Sequence, residues 1–154
     1  MRRFLFVGGL AGTLLLGCGV ASAAPSGGSL DPSFGNGGIV TTPEGQSPSA
    51  AFADGVTSVS GGETVAVGVA TGTNGTGVFT LARYRSDGSL DPSFGNGGIV
   101  TTDFGLGGDD LAAAVATEPN GNLVVVGQAA DSGDTDYSWA VAEYRANGSL
   151  DQSF

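Results

Sequence analysis

The residues of this chain that could do chemistry are almost all carboxylates. Asp31 and Asp91 stand sixty positions apart in identical surroundings, Gly-Ser-Leu-Asp-Pro-Ser-Phe-Gly-Asn-Gly-Gly. Asp109-Asp110 and Asp131-Ser132-Gly133-Asp134-Thr135-Asp136 add two acidic stretches. Paired carboxylates serve general acid–base work, and oxygen ligands alternating along a glycine-containing loop can hold Ca²⁺. There is no His, and the one cysteine, Cys18, lies near the N-terminus. The body of the chain therefore lacks the usual general base, the usual transition-metal ligand and a thiol nucleophile.

Each candidate also has a plain structural reading. Asp31 and Asp91 recur with the same neighbours, which fits a part that every unit needs. An aspartate before proline caps a turn, so turn-capping is expected over catalysis. Arg85 and Arg145, each after a tyrosine, are expected to partner those aspartates or nearby loop carbonyls. The two acidic stretches lack the EF-hand spacing and its closing glutamate, so solvated loops are expected, with calcium as the alternative. No metal, cofactor or catalytic residue is assigned. Among the aromatics, Trp139, Tyr137 and Phe104 could stack on a sugar or peptide. Trp139 aligns with Phe79, so core packing is its expected role, and Tyr137, in the loop before it, is the better exposed candidate. Asn74-Gly75-Thr76 and Asn147-Gly148-Ser149 are formal glycosylation sequons.

The elements that position these residues follow from the repetition. Gly28–Thr42 recurs unchanged as Gly88–Thr102 and begins again at Gly148–Phe154, with Gln152 in place of proline. The spacing divides the chain into repeat one (28–87), repeat two (88–147) and the start of a third (148–154). In each motif, Asp-Pro-Ser-Phe predicts a tight turn ended by a left-handed glycine, with Leu30 and Phe34 as apolar pins. The β-branched Ile39-Val40-Thr41-Thr42 predicts strand one of the module. Gly55–Val59 and Thr64–Val69 predict a hairpin. Its second copy, Ala113–Thr117 and Leu123–Gly127, is joined through Asn120-Gly121, a strong hairpin signal. Phe79–Tyr84 and Trp139–Tyr144 predict strand four. The alanine-rich Leu111–Ala116 aligns with strand two and is read as strand.

Four short strands per tandem module predict an all-β fold: four-stranded antiparallel blades of a β-propeller, two blades present, an incomplete ring. A stacked solenoid and a sandwich fit the sixty-residue period less well. Two blades leave sheet edges and a blade flank open to water. The expectation is that the chain is a piece of a longer repeat protein, with assembly of several chains as the alternative.

Charge and leader bear on location and partners. Beyond Arg2 and Arg3 the chain has three arginines and no Lys against fifteen acids, a net of −12. That balance argues against nucleic acid or an anionic membrane as partner. Residues 1–23 read as an export signal, with Arg2-Arg3, an apolar run over Phe4–Val20 and the cleavage pattern Ala21-Ser22-Ala23; residues 24–27 are a spacer. Leu15-Leu16-Gly17-Cys18 resembles a lipobox, so lipidation at Cys18 stands as an alternative to ordinary cleavage. The location expected is secreted or cell-surface.

The pattern Asp-Gly-Ser-Leu-Asp-Pro-Ser-Phe-Gly-Asn-Gly-Gly, after a strand ending Leu-Ala-Arg-Tyr, resembles the delta-60 repeat, a bacterial domain of unknown function of the β-propeller type. The resemblance covers Gly28–Phe154. It implies secreted or surface-exposed proteins with many such repeats and no established activity. The function expected is a non-enzymatic scaffold or binding module with an unknown protein or carbohydrate ligand. Further repeats in cis, or self-assembly, would close the ring. The alternative is part of a metal-assisted propeller lyase or hydrolase whose active site lies in missing sequence.

Overall fold

The computed structural model describes residues 28–43 and 50–154. The leader with Cys18, and residues 44–49 of the first loop, lie outside them. Among the described residues, seven strands form two antiparallel sheets. β1 (Ala51–Ser58), β2 (Thr64–Thr71), β3 (Gly77–Tyr84) and β4 (Ile99–Thr102) make the first, in that order. The second contains β5 (Gly107–Thr117), β6 (Leu123–Asp131) and β7 (Tyr137–Tyr144). This is an all-β, unclosed partial propeller. The expected hairpins are present and longer than the apolar runs alone indicate. The alanine patch lies inside β5, as strand.

The sheets run out of phase with the sequence repeat. Ile99–Thr102 does not open the second sheet. It pairs with β3 and closes the first, in the register Phe79↔Thr102 to Ala82↔Ile99. The first copy of this segment, Ile39–Thr42, is in no strand, and Ile39 makes only an isolated bridge to Gly35. A four-residue β-branched run needs a neighbouring edge to pair with, and β3 supplies one only to the second copy. Even so, Thr42 Oγ1 lies 2.6 Å from the Tyr84 hydroxyl. Thr102 and Tyr144 repeat this contact at 2.7 Å.

Strict sixty-residue spacing also fails within the sheets. Ala53 and Ala112, opposite Gly68 and Gly127, are equivalent yet 59 apart, whereas Phe79 and Trp139 are 60 apart. Repeat two is one residue shorter before β5 and one longer between β6 and β7. Both first strands carry a bulge, at Ala53/Gly55 and Ala112/Ala114.

The core lies between the sheets. Alternation along β2 and β3 places Val65, Val67, Phe79 and Leu81 on one face, all buried, against the small residues Ala112, Val125, Ala140 and Ala142 of the second sheet. Burying such a side chain fully is worth about 1.5–3 kcal/mol, so this face dominates the stability.

Candidate functional site

The motif aspartates come first. Asp91 is 3% exposed. Its Oδ1 accepts the Ser93 backbone N–H at 3.0 Å, and both of its oxygens accept the Ser93 hydroxyl. Arg83 Nη2 lies 2.6 Å from Oδ2 and Arg85 Nη2 3.5 Å from Oδ1. The Ser93 backbone N–H, with the Ser93 hydroxyl and Arg83 behind it, holds this carboxyl down to about 2 despite its burial. A carboxylate so acidic and so occupied neither takes up a proton at neutral pH nor reaches a substrate. Its chemistry is capping. Asp31 caps Ser33 in the same way, at 2.9 Å, and Asp151 caps Ser153 and pairs with Arg145 at 3.1 Å. The expected Leu30 pin is 60% exposed, and Phe34 is half-buried where Phe94 is fully buried.

Arg83 is the structural tether that the motif spacing did not reveal. It stacks 4.7 Å over the Phe94 ring and donates to the Ala146 carbonyl at 2.6 Å, joining the first sheet to the turn that follows the second. Its counterpart in repeat two is Glu143, which accepts from Asn122 at 2.6 Å instead. The contrast of Leu-Ala-Arg-Tyr with Val-Ala-Glu-Tyr was the available signal.

The acidic stretches meet at one end of the molecule. Asn74 Nδ2 reaches Asp103 Oδ2 at 3.4 Å, Asp109 Oδ1 accepts the Gly77 N–H at 2.6 Å, and Asp134 Oδ1 accepts the Asp109 N–H at 2.9 Å. Asp131 Oδ1 caps Thr135 and Asp136, at 2.9 and 3.2 Å, which keeps its carboxyl below the usual range. Asp134 adopts a left-handed φ of 50°, which aspartate tolerates better than most residues. These carboxylates are spent on backbone donors. Among the described residues, no group of three or more His, Cys, Asp or Glu is placed to hold a metal ion.

Asp109-Asp110 is not a loop, as expected from sequence, but part of β5. Backbone pairing beside Gly107 extends the strand through both residues. Asp110 is 1% exposed; its Oδ2 accepts the Phe104 N–H at 2.7 Å, and its Oδ1 has no hydrogen-bond partner. Burial raises its pKa, with Asp103 and Asp109 adding to the effect.

The aromatic candidates separate. Phe104 packs edge-on against Phe79, with centroids 4.9 Å apart, and belongs to the core. Tyr137 is exposed at the start of β7. Trp139 is not in a core: it is 96% exposed, whereas Phe79, its counterpart, is wholly buried. The difference is what lies over them. The second sheet covers Phe79, and among the described residues no sheet covers Trp139, which borders a shallow depression with Leu111, Val126, Gln128 and Val141. The opposite flank of the first sheet is an open groove lined by Val40, Thr42, Ala66, Gly68, Ala82 and Tyr84.

Among curated proteins, none matches the chain. Residues 62–94 and 118–154 match the sequence model of a family described as "Domain of unknown function (DUF5122) beta-propeller". Each segment holds one hairpin with the turn motif that follows: β2 and β3 through Phe94, then β6 and β7 through Phe154. The two matched stretches, β2 and β3 with their turn motif and β6 and β7 with theirs, are thus similar to a β-propeller domain of unknown function.

Proposed function

We propose that this chain is an exported, non-enzymatic β-propeller segment, a scaffold that presents a binding rim to a protein or carbohydrate ligand. The observation that supports this reading is the rim at one end, where the loop residues Asn74, Asp103 and Asp134, with Asp109 at the start of β5, link both repeats. Loops held by a rigid sheet scaffold are where binding residues collect. Of the carboxylates that could have served catalysis, Asp31, Asp91 and Asp131 are committed to backbone N–H groups, and Asp91 also to arginines. Tyr137, exposed beside this rim, supplies an aromatic face for stacking. Export rests on the leader reading, and the net charge of −12 beyond the two leader arginines disfavours nucleic acid and anionic membrane as partners.

The test is retention of the full chain on columns of immobilised cell-wall polysaccharide, alongside turnover assays on chromogenic esters and glycosides with added Ca²⁺, Mg²⁺ or Zn²⁺. Retention that falls at least about tenfold in Tyr137→Ala, with no turnover, supports the reading. Metal-dependent turnover would overturn it. The intact mass of the exported protein reads the leader: a start at Ala24 or a diacylglyceryl Cys18 supports export, and an unprocessed chain refutes it.

A further inference from the structure

The two sheets of this chain display, on their outer flanks, the same pair of surfaces that they bury against each other. Inside, the Phe79 face of the first sheet packs on the Gly127 face of the second, and the Phe79 ring occupies the space left by the missing side chain of Gly127. Outside, Trp139 stands at the position of Phe79 on the second sheet. Gly68 stands at the position of Gly127 on the first, flanked by Ala66 and Ala82 where the second sheet has Val125 and Ala142. Small residues thus floor the open groove, and a large ring crowns the opposite flank.

A second feature repeats the correspondence. Internally, β4 pairs with β3 and sends Thr102 to the Tyr144 hydroxyl. Ile39–Thr42, identical in sequence to β4, already sends Thr42 to the Tyr84 hydroxyl but extends no sheet. The outer edge of β7 has no strand beside it among the described residues.

We infer that a second copy of this chain docks head to tail on the first, seating Trp139 of one copy over Gly68 of the other. Ile39–Thr42 of the second copy then adds to β7 in the register of the internal pair, with Trp139 opposite Thr42, Ala140 opposite Thr41, Val141 opposite Val40 and Ala142 opposite Ile39. Residues 148–154 of the first copy take the place of 28–34 of the second, since the two segments differ only at Pro32 and Gln152. The terminal copy holds on better: Asp151 pairs with Arg145, whereas Asp31 has no arginine partner among the described residues. The contact is heterologous, so it propagates until a ring closes. It builds on the propeller scaffold proposed above but does not depend on the rim or on any ligand.

The chain carries its own probe, because Trp139 is its one tryptophan. Sedimentation velocity on the full chain over a concentration series is expected to show association, with Trp139 emission shifting to the blue in step. Trp139→Ser and Ala66→Arg lie on opposite flanks, and each is expected to weaken association at least about tenfold. Mixed together, the two variants each keep one good surface and are expected to form a dimer and nothing larger. In a Cys18→Ser background, Val141→Cys in one chain and Val40→Cys in another are expected to cross-link, and Ser132→Cys with Val40→Cys is not. A wild-type chain that stays monomeric with solvent-like Trp139 emission at every concentration overturns the inference. So does a variant mixture that forms no dimer while each variant keeps the wild-type β-sheet circular dichroism. Polysaccharide retention by a monomeric chain would leave the binding proposal standing and the assembly refuted.

Discussion

The Phe79 ring reaches into the space where Gly127 would carry a side chain, its Cζ 2.8 Å from the ideal Cβ position. A Cβ there would also strike the Leu111 carbonyl oxygen, on the strand that the bulge brings close. One obstacle is ring and the other is backbone, so neither yields easily. Gly127→Ala is expected to cost about 1–3 kcal/mol through overpacking. Urea unfolding followed by circular dichroism measures it. A midpoint unchanged from wild type would show that the sheets do not depend on this approach.

The same pair shows what the sequence could and could not convey. Val67, Phe79 and Leu81 alternate with smaller residues, so their strands and their common face were legible. The turn motif was legible too, because aspartate two places before serine is a local device that Ser33, Ser93 and Ser153 each complete within their own segment. The phase of the sheets was not. A period fixes how far apart equivalent residues lie but not where a sheet begins, and only the pairing of Ile99–Thr102 with β3 reveals that boundary. The compensating one-residue changes around β5 and β6 were hidden for a similar reason: the motif returns after sixty residues whatever happens between. At the candidate site, alternation identified Trp139 with an apolar face but carried no information on what covers it. The meeting of Asp109 with Asp134 depends on distant segments, which no local pattern reports.

Asp91 makes stability depend on acid. Its carboxyl is held at about 2, below the roughly 3.9 of an unfolded aspartate. A depressed value means that its contribution is complete above about pH 4 and lost as the pH falls through about 2. Asp91→Asn removes the charge opposite Arg83 while keeping the shape, and is expected to cost about 2–3 kcal/mol at pH 7. The gap between wild type and variant should close as unfolding is measured from pH 5 down to pH 2. A gap that stays constant with pH would show that the Arg83 pair contributes nothing.

Tyr144 is wholly buried and donates its hydroxyl to Thr102, joining the second sheet to the last strand of the first. Tyr144→Phe keeps the ring and strands the threonine hydroxyl, so a loss of about 1 kcal/mol is expected. Adding Thr102→Val removes the stranded partner. The double variant should recover part of the loss, and a double-mutant cycle on thermal unfolding reads the coupling. Additive losses would mean that the two hydroxyls are not bonded in solution.

Asp110 works in the opposite direction to Asp91. Burial raises its pKa, and Asp103 and Asp109 raise it further by repulsion, so the folded chain holds its proton more tightly than the unfolded chain does. The sign follows. A group whose folded value lies above its unfolded value contributes stability that is fully present below about pH 3.9 and is lost as the pH rises through the folded value. Asp110→Asn stays neutral throughout and can still accept the Phe104 N–H that Oδ2 now accepts at 2.7 Å. The variant is therefore expected to be more stable than wild type at pH 8, with the difference shrinking as the pH falls toward 4. Asp110→Ala separates charge from hydrogen bonding. It relieves the same charge but leaves the Phe104 N–H unanswered, at a cost of about 1–3 kcal/mol relative to the asparagine variant. Urea titrations of all three proteins at pH 4, 6 and 8 decide the matter. Parallel wild-type and asparagine profiles would show that Asp110 carries no strained charge.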